Sequence, residues 1–458
     1  MELQRAHKRQ RCQSPAPPPQ QRQPAAATSD PSRIWLPEIV QHFAASLLPN
    51  EVACALRLVN KATAAQFSAA QHTTVRLSQP VPHHAFVWRW AGPDAMRTLA
   101  WQQRLELPRL TARSGSTANL EVLLARDELP SVLDNVNLGG GVFAAAAGVG
   151  QLDMCVWLRE RGCAWQERGA FTAAAGDGHQ AVCEWMVAEG GLKVDDYSKA
   201  AAAAARGGHV GLMDWLLLCA DSFDVTALLS GAAEGCDLPM LQRLHQIHVD
   251  TLPEELSLPA WDKAAILSAA AGSPTADWRA KVEWLEARGY PRNAEAFGTA
   301  ATKPDALPRL QWLRQQGYPL DMGAGKAAVA GNAEALRYVL GHGGMADAFM
   351  MQRAARGGHV AVMEVLHARG VRCKKTVWAA AAGGHLPAVA WLVETLDAGA
   401  ALTTHVFEAA AKAGSMELLR WLRARGCPWD ATAFAAAAQG GSEEQLEWLA
   451  EQGCLMGV

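Results

Sequence analysis

From about residue 111 to the C-terminus one pattern returns again and again. An alanine-rich stretch leads to a glycine followed by histidine or another polar residue, and then to an apolar stretch centred on Trp-Leu. AARGGHVAVMEVLHARG and AAAKAGSMELLRWLRARGCPWD show it most clearly. Aligned on the tryptophan, the register positions are Leu123, Trp157, Trp185, Trp215, Arg243, Trp284, Trp312, Tyr338, Val365, Trp391, Trp421 and Trp448. Their successive spacings are 34, 28, 30, 28, 41, 28, 26, 27, 26, 30 and 27 residues. Self-similarity at this period marks a solenoid, in which each unit covers the apolar face of the next, rather than a chain folded round one central core. The spacing of 41 places an insertion in DTLPEELSLPAWD.

Each unit reads as a helix hairpin. Alanine makes up 89 of the 458 residues. It is the best helix former, and its small side chain lets neighbouring helices approach closely, so the alanine stretches are first helices. Gly178, Gly208, Gly358 and Gly384 fall where those helices must stop, a position that asks for positive φ. The second helices are expected to carry Trp and Leu inward and to end at Gly162, Gly289, Gly317, Gly370, Gly426 and Gly453. Cys163, Cys427 and Cys454, or Tyr290 and Tyr318, follow six residues after the register position. Eight of the 17 tryptophans occupy that one position, which explains why Trp outnumbers Phe (10) and Tyr (4). At a fixed helical register they read as core rather than as a stacking platform. Cys155, Cys183 and Cys219 read as small buried hydrophobes, and Trp165 and Trp429, outside the helices, as exposed.

Four segments follow. Residues 1–32, rich in Gln, Pro, Ala and Arg, are too poor in apolar surface to order themselves. Their basic cluster Arg5, Lys8, Arg9 and Arg11 reads as a solvated tail, with a nuclear address as the alternative. Residues 33–70 form a small helical module with two apolar stripes, Ile39, Phe43 and Leu47, then Val52, Leu56 and Val59. Residues 71–110 are a connector with a short helix around Asp94–Leu105, and 111–458 are the repeat array.

Chemistry is hard to find. The formal net charge of −3 offers no global basic field for a nucleic-acid backbone. No apolar run is long enough to span a membrane, and no apolar stretch follows the basic start to make a secretory signal. Ten cysteines without a C-x-x-C pair suit a reducing compartment, the cytoplasm or the nucleus. His179, His209, His359 and His385 recur once per unit and are read as structural groups that hydrogen-bond the hairpin turn. His83-His84 and the pair His245/His248 lack the further ligands of a zinc site. Gly323, Gly325 and Lys326 look superficially like a phosphate loop, but Ala327 stands where Ser or Thr is required. No catalytic, cofactor or metal residue is assigned, and the chain is expected to be a non-enzymatic monomer. A hydrolase borrowing these repeats is the remote alternative, for which 71–110, with one Asp and one Glu, supplies too little.

The run A-A-x-x-G-H-x-x-x-(V/M/L)-x-W-L-x-x-x-G resembles the ankyrin repeat, in the divergent GH…WL…GCPWD form of algal and protist families. It departs from that pattern in lacking T-P-L-H and in its period near 27–30 residues against about 33. The resemblance implies an all-α fold, an ankyrin-type helix-hairpin solenoid with protein-binding residues on its concave face. The module is similar to an F-box. Leu36, Pro37, Glu38, Ile39, Phe43, Leu47, Leu48, Leu56, Val59, Asn60 and Lys61 stand in matching places. Leu-Pro-Glu-Ile is one residue tighter than usual, and Ala62-Thr63 replace the customary Trp. This likeness implies that Leu36, Pro37, Ile39, Leu47, Leu48, Val52, Leu56 and Val59 bind a Skp-type linker of a cullin-RING ubiquitin ligase, the array holding the target protein. Two alternatives stand beside it: a plain protein-binding scaffold without a ligase, and a module that only caps the array.

Overall fold

The computed structural model describes residues 35–126, 136–163, 169–251, 253, 258–371, 376–395 and 402–454. The tail, Trp165 and the middle of the insertion lie outside them. Among the described residues the fold is entirely helical, and it divides into two compact units between Thr74 and Val75.

The first unit is the N-terminal module. Pro37 and Pro49 each open a helix, Pro37–Ser46 and Pro49–Cys54, because a missing N–H costs nothing in a first turn. A turn of 3-10 helix, Leu56–Leu58, leads to Lys61–Gln66, capped where Asn60 Oδ1 accepts a 2.8 Å hydrogen bond from the Thr63 amide. Val40, Val52, Leu56 and Phe67 form its core.

The second unit is a solenoid. Helix His83–Trp90 leads into twelve hairpins, named here by first and second helix. Hairpin 1 is Trp101–Arg113 with Thr117–Leu124, hairpin 2 Val136–Ala147 with Leu152–Glu160, hairpin 3 Ala170–Gly176 with Gln180–Glu189, and hairpin 4 Val194–Arg206 with Val210–Cys219. Hairpin 5 is Val225–Gly235 with Leu238–His248, hairpin 6 Ala260–Ala271 with Trp278–Ala287, hairpin 7 Ala294–Ala301 with Ala306–Gln315, and hairpin 8 Gly323–Val329 with Ala333–Gly341. Hairpin 9 is Ala348–Arg356 with Val360–Ala368, hairpin 10 Thr376–Ala382 with Leu386–Thr395, hairpin 11 Thr404–Ala413 with Met416–Ala424, and hairpin 12 Ala431–Gly440 with Glu443–Glu451. All twelve register positions fall on second helices. The array begins ten residues before the expected boundary, because helix Trp101–Arg113 packs as a first helix against hairpin 2. The helix expected around Asp94–Leu105 therefore starts at Trp101, where the Ala100 amide donates to Gln103 Oε1 at 3.0 Å, and residues 92–99 are turns. Gly323, Gly325 and Lys326 lie in or at the start of a helix, not in a loop.

In several hairpins first and second helices stop in the same way. His179 N donates to Ala174 O and Cys163 N to Leu158 O, the six-to-one bond of a Schellman stop, with Gly178 and Gly162 at φ of 80° and 79°. The Gly-His pair does more than stop a helix. A Cβ on Gly358 would meet the His385 ring of the next hairpin at 2.8 Å, and one on Gly178 would meet His209 at 2.5 Å. Each histidine thus rests on the bare turn of the preceding unit, which locks neighbours together.

First helices pack far more closely on one another than second helices do. A Cβ on Gly231 would lie 2.3 Å from Ala202 O, so backbones touch where only glycine and alanine intervene. Between second helices stand tryptophans, as in the edge-on pair Trp278 and Trp312 at 5.4 Å. Thin spacing on one side and thick on the other makes each hairpin a wedge, and the array curves with its first helices innermost. Curvature brings the two ends together. The Glu444 amide donates to Arg97 O at 3.2 Å, Arg104 Nη2 lies 3.0 Å from Glu443 Oε1, and Arg97 pairs with Glu447. Ala100 seats against the Gly414 turn. The solenoid is a closed circuit whose seam joins residues 97–104 to the last hairpins.

Tryptophan is not the core residue of the register. Trp312 is buried, but Trp157, Trp185, Trp215, Trp284, Trp391, Trp421 and Trp448 are half-buried. The following residue, Leu158, Leu216, Leu285, Leu392 or Leu422, is the one wholly enclosed. One residue is a 100° rotation on a helix, enough to move Trp to the flank. In three units an arginine four residues on covers it there: Arg161 over Trp157 at 4.1 Å, Arg288 over Trp284 at 4.5 Å and Arg425 over Trp421 at 4.6 Å. Trp429, expected to be exposed, is half-buried between Phe407 and Trp448. Cys219, expected in the core, is exposed, whereas Cys155 and Cys183 are buried.

Candidate protein-binding surfaces

Two surfaces expose side chains that folding alone does not require to be there. The first is a face of the module. Pro37 sets the first helix so that Val40 points into the core, which leaves Ile39 and Phe43 on the outside at 38% and 46% exposure. Leu36, Leu47, Leu48 and Val59 are exposed as well, so most of the residues expected to meet an adaptor are open to one. Val52 and Leu56 are not. They are 3% and 8% exposed because the module is small and needs them for its own core, so they support the face rather than form it. Leu58, 75% exposed, belongs to the open set and was missed because it lies off both apolar stripes.

The second surface is the inner wall of the solenoid. In hairpins 3, 8 and 9 it is built from positions sixteen, thirteen, twelve and nine residues before the register position, which share one helical face. In hairpin 3 these are Gly169, Thr172, Ala173 and Gly176, all small, and with Ala203 and Arg206 of hairpin 4 they leave a groove of about 590 Å³. In hairpin 8 the same positions hold Met322, Gly325, Lys326 and Val329, and in hairpin 9 Phe349, Gln352, Arg353 and Arg356. Trp378 takes the thirteen position of hairpin 10. Met322, Val329, Phe349 and Trp378 are exposed. None of these was singled out from the sequence as a binding residue. The signal was present in their offset from the register and in a tryptophan, Trp378, that does not occupy it.

The remaining polar groups are spent on structure. His359 Nε2 lies 3.2 Å from Val329 O, at the turn. His245 is buried with Nε2 2.9 Å from the Tyr290 hydroxyl and Nδ1 3.1 Å from Asp250, which Arg288 in turn holds at 2.8 Å. Burial lowers the His245 pKa and raises that of Tyr290. Lys281, fully buried, donates to Ala233 O, Cys236 O and Ser273 Oγ at 2.7–2.8 Å, tying hairpin 6 to hairpin 5. Desolvation pushes Cys155 and Cys183 up to about 12, which makes them poor nucleophiles. Among the described residues no cluster of three or more His, Cys, Asp or Glu is placed to hold a metal ion, and no helix is long and apolar enough to cross a membrane. No family model and no curated protein matches the sequence.

Proposed function

We propose that the chain is a non-enzymatic recognition subunit. Its F-box-like module docks on a Skp-type linker of a cullin-RING ubiquitin ligase, and its ankyrin-like array holds a target protein. The observation that carries this reading is the exposure of Leu36, Ile39, Phe43, Leu47, Leu48 and Val59 on a module whose core is already complete without them. An apolar face of this kind on so small a unit is a burden in water unless a partner covers it. The mechanism is proximity. The protein raises the concentration of a target beside a conjugating enzyme and forms no bond itself.

Titration of the purified full-length chain with a purified Skp-type linker tests this. Binding is expected, with loss of at least tenfold in affinity for the Leu36→Asp, Leu48→Asp double variant at unchanged helicity. Undiminished binding by that variant would refute the interface. No binding by the parent chain would leave the array as a plain protein-binding scaffold.

A further inference from the structure

We propose that the inner wall of hairpins 8–10 binds an extended acidic segment with large apolar side chains, belonging to the target protein. This deepens the reading of the array as a receptor and rests on it. The residues fall into two interleaved sets. Met322, Val329, Phe349 and Trp378 offer exposed apolar surface, with Phe349 at 58% and Val329 at 48%. Arg353 and Arg356 offer cations among them, while the Lys326 ammonium is already held by Glu295. Met322 and Phe349, Lys326 and Arg353, and Val329 and Arg356 are each 27 residues apart, so equivalent side chains stand abreast on neighbouring first helices.

Charge points to the occupant. Among the described residues neither Arg353 nor Arg356 has a carboxylate within ion-pair reach, and neither does Lys412 on hairpin 11. Two carboxylates of the neighbouring first helices are already engaged: Glu295 lies 2.6 Å from Lys326, and Glu408 lies 3.4 Å from His405. Asp347 accepts from the Met350 amide as a helix cap. Arg353 and Arg356, one helical turn apart, thus stand on this wall as two cations without an ionic partner among the described residues, in a protein of net charge −3. Arg353 stacks on the Phe349 ring at 4.4 Å, which fixes its guanidinium before a ligand arrives.

A peptide satisfies both sets, its carboxylates meeting Arg353 and Arg356 and its apolar side chains covering Met322 and Val329. Nucleic acid would use the arginines and the Phe349 and Trp378 rings but would leave the exposed aliphatic Met322 and Val329 uncovered. Twelve hairpins at an interaxial spacing of about 9 Å close a circle of radius roughly 17 Å, and a helix half-width of about 5 Å leaves an inner radius of about 12 Å. That admits an extended chain and excludes a folded domain.

The test is fluorescence anisotropy of the full-length chain with three labelled probes: a twelve-residue Glu/Asp peptide carrying two Phe and one Leu, the same peptide with Ser at those three places, and a poly-thymidine oligonucleotide. The first probe is expected to bind at least tenfold more tightly than the other two, and more weakly as salt rises. Arg353→Glu with Arg356→Glu, and separately Phe349→Ser with Trp378→Ser, should each cost at least tenfold, while Arg314→Glu on an outer helix changes affinity less than twofold. Preference for the Ser peptide or the oligonucleotide, no binding of the first probe, or indifference to the Arg353 and Arg356 reversals would overturn the proposal. Linker binding measured on the same samples separates the two claims, since these variants lie far along the chain from the module and should leave it unchanged.

Discussion

Arg104 and Glu443 are 339 positions apart in the chain and 3.0 Å apart in space. With Arg97 and Glu447 they hold the two ends of the solenoid together. An open solenoid needs polar caps on its terminal units, whereas here the first and last hairpins cover each other. The joint carries two ion pairs between residues 97–104 and the last hairpin. First helices within the array meet through alanine and glycine, whereas in the seam's ion pairs Glu443 and Glu447 are about half exposed. Exposed pairs contribute only about 0.2–1 kcal/mol each and weaken with salt. The seam should therefore be the first part of the array to open. Arg97→Glu with Arg104→Glu is expected to raise the radius of gyration in solution scattering and to speed amide exchange in residues 91–104 and 431–451. Adding Glu443→Arg and Glu447→Arg should reverse both changes. Unaltered scattering and exchange in the double variant would mean that the charges do not hold the seam.

The Gly-His lock makes a second prediction. Gly358 and Gly370 have nearly the same backbone, with φ of 73° and 80°, but a Cβ on Gly370 meets nothing within 4 Å, while one on Gly358 runs into His385. Alanine at either site pays for the left-handed backbone, about 1 kcal/mol. Only at Gly358 must the next hairpin also move. Gly358→Ala is expected to cost at least about 2 kcal/mol in urea unfolding and Gly370→Ala about 1. In Gly358→Ala with His385→Ala the excess should vanish, which a double-mutant cycle measures directly. Equal costs at the two glycines would remove the steric lock.

Much of this fold was legible because repetition multiplies a weak signal. A single Trp-Leu on a short helix says little, but twelve aligned copies placed every second helix. The alignment could not say which of the two residues was innermost. Trp157 is the larger and more hydrophobic by eye, yet Leu158 is the one enclosed. One residue is a 100° turn on a helix, so the pair Trp-Leu has one member inward and one on the flank, and the alignment alone does not choose between them. The seam was not legible at all. Arg97, Arg104, Glu443 and Glu447 belong to no repeated motif, and their meeting depends on curvature summed over the whole array. The module was half legible. Its apolar stripes were visible, but only packing showed that Val52 and Leu56 face inward while Leu58 faces out.

Lys281 supplies a third prediction. Its ammonium is fully buried in a cradle of two carbonyls and the Ser273 hydroxyl, with Asp277 3.8 Å away. Burial holds its pKa below the ordinary lysine value. Lys281→Met keeps the volume and removes every donor, so two carbonyls and the Asp277 charge lose a partner. A loss of about 3 kcal/mol is expected, as for breaking other buried charge contacts. Amide exchange should locate it at hairpins 5 and 6. A variant as stable as the parent would show that the cradle is apolar packing with an incidental amine.

The same pair of hairpins should make stability depend on pH. The His245 pKa is lowered, chiefly by desolvation, with Arg288 adding to the effect and Asp250 opposing it; His248 is lowered likewise by burial and by Arg243. Tyr290, Asp250, Arg288 and Lys263 are the titratable and charged groups around His245. A histidine whose folded pKa lies below its unfolded value of about 6.5 is protonated more readily in the unfolded chain. Stability therefore falls as pH drops through about 6.5 and levels off once the folded pKa is passed. Urea unfolding followed between pH 7.5 and 5 should show this slope. In His245→Gln the protein should be less stable at pH 7.5, having lost the bond to Tyr290, but its slope should be shallower because one of the two titrating imidazoles is gone. An unchanged slope in His245→Gln would assign the acid sensitivity to other groups.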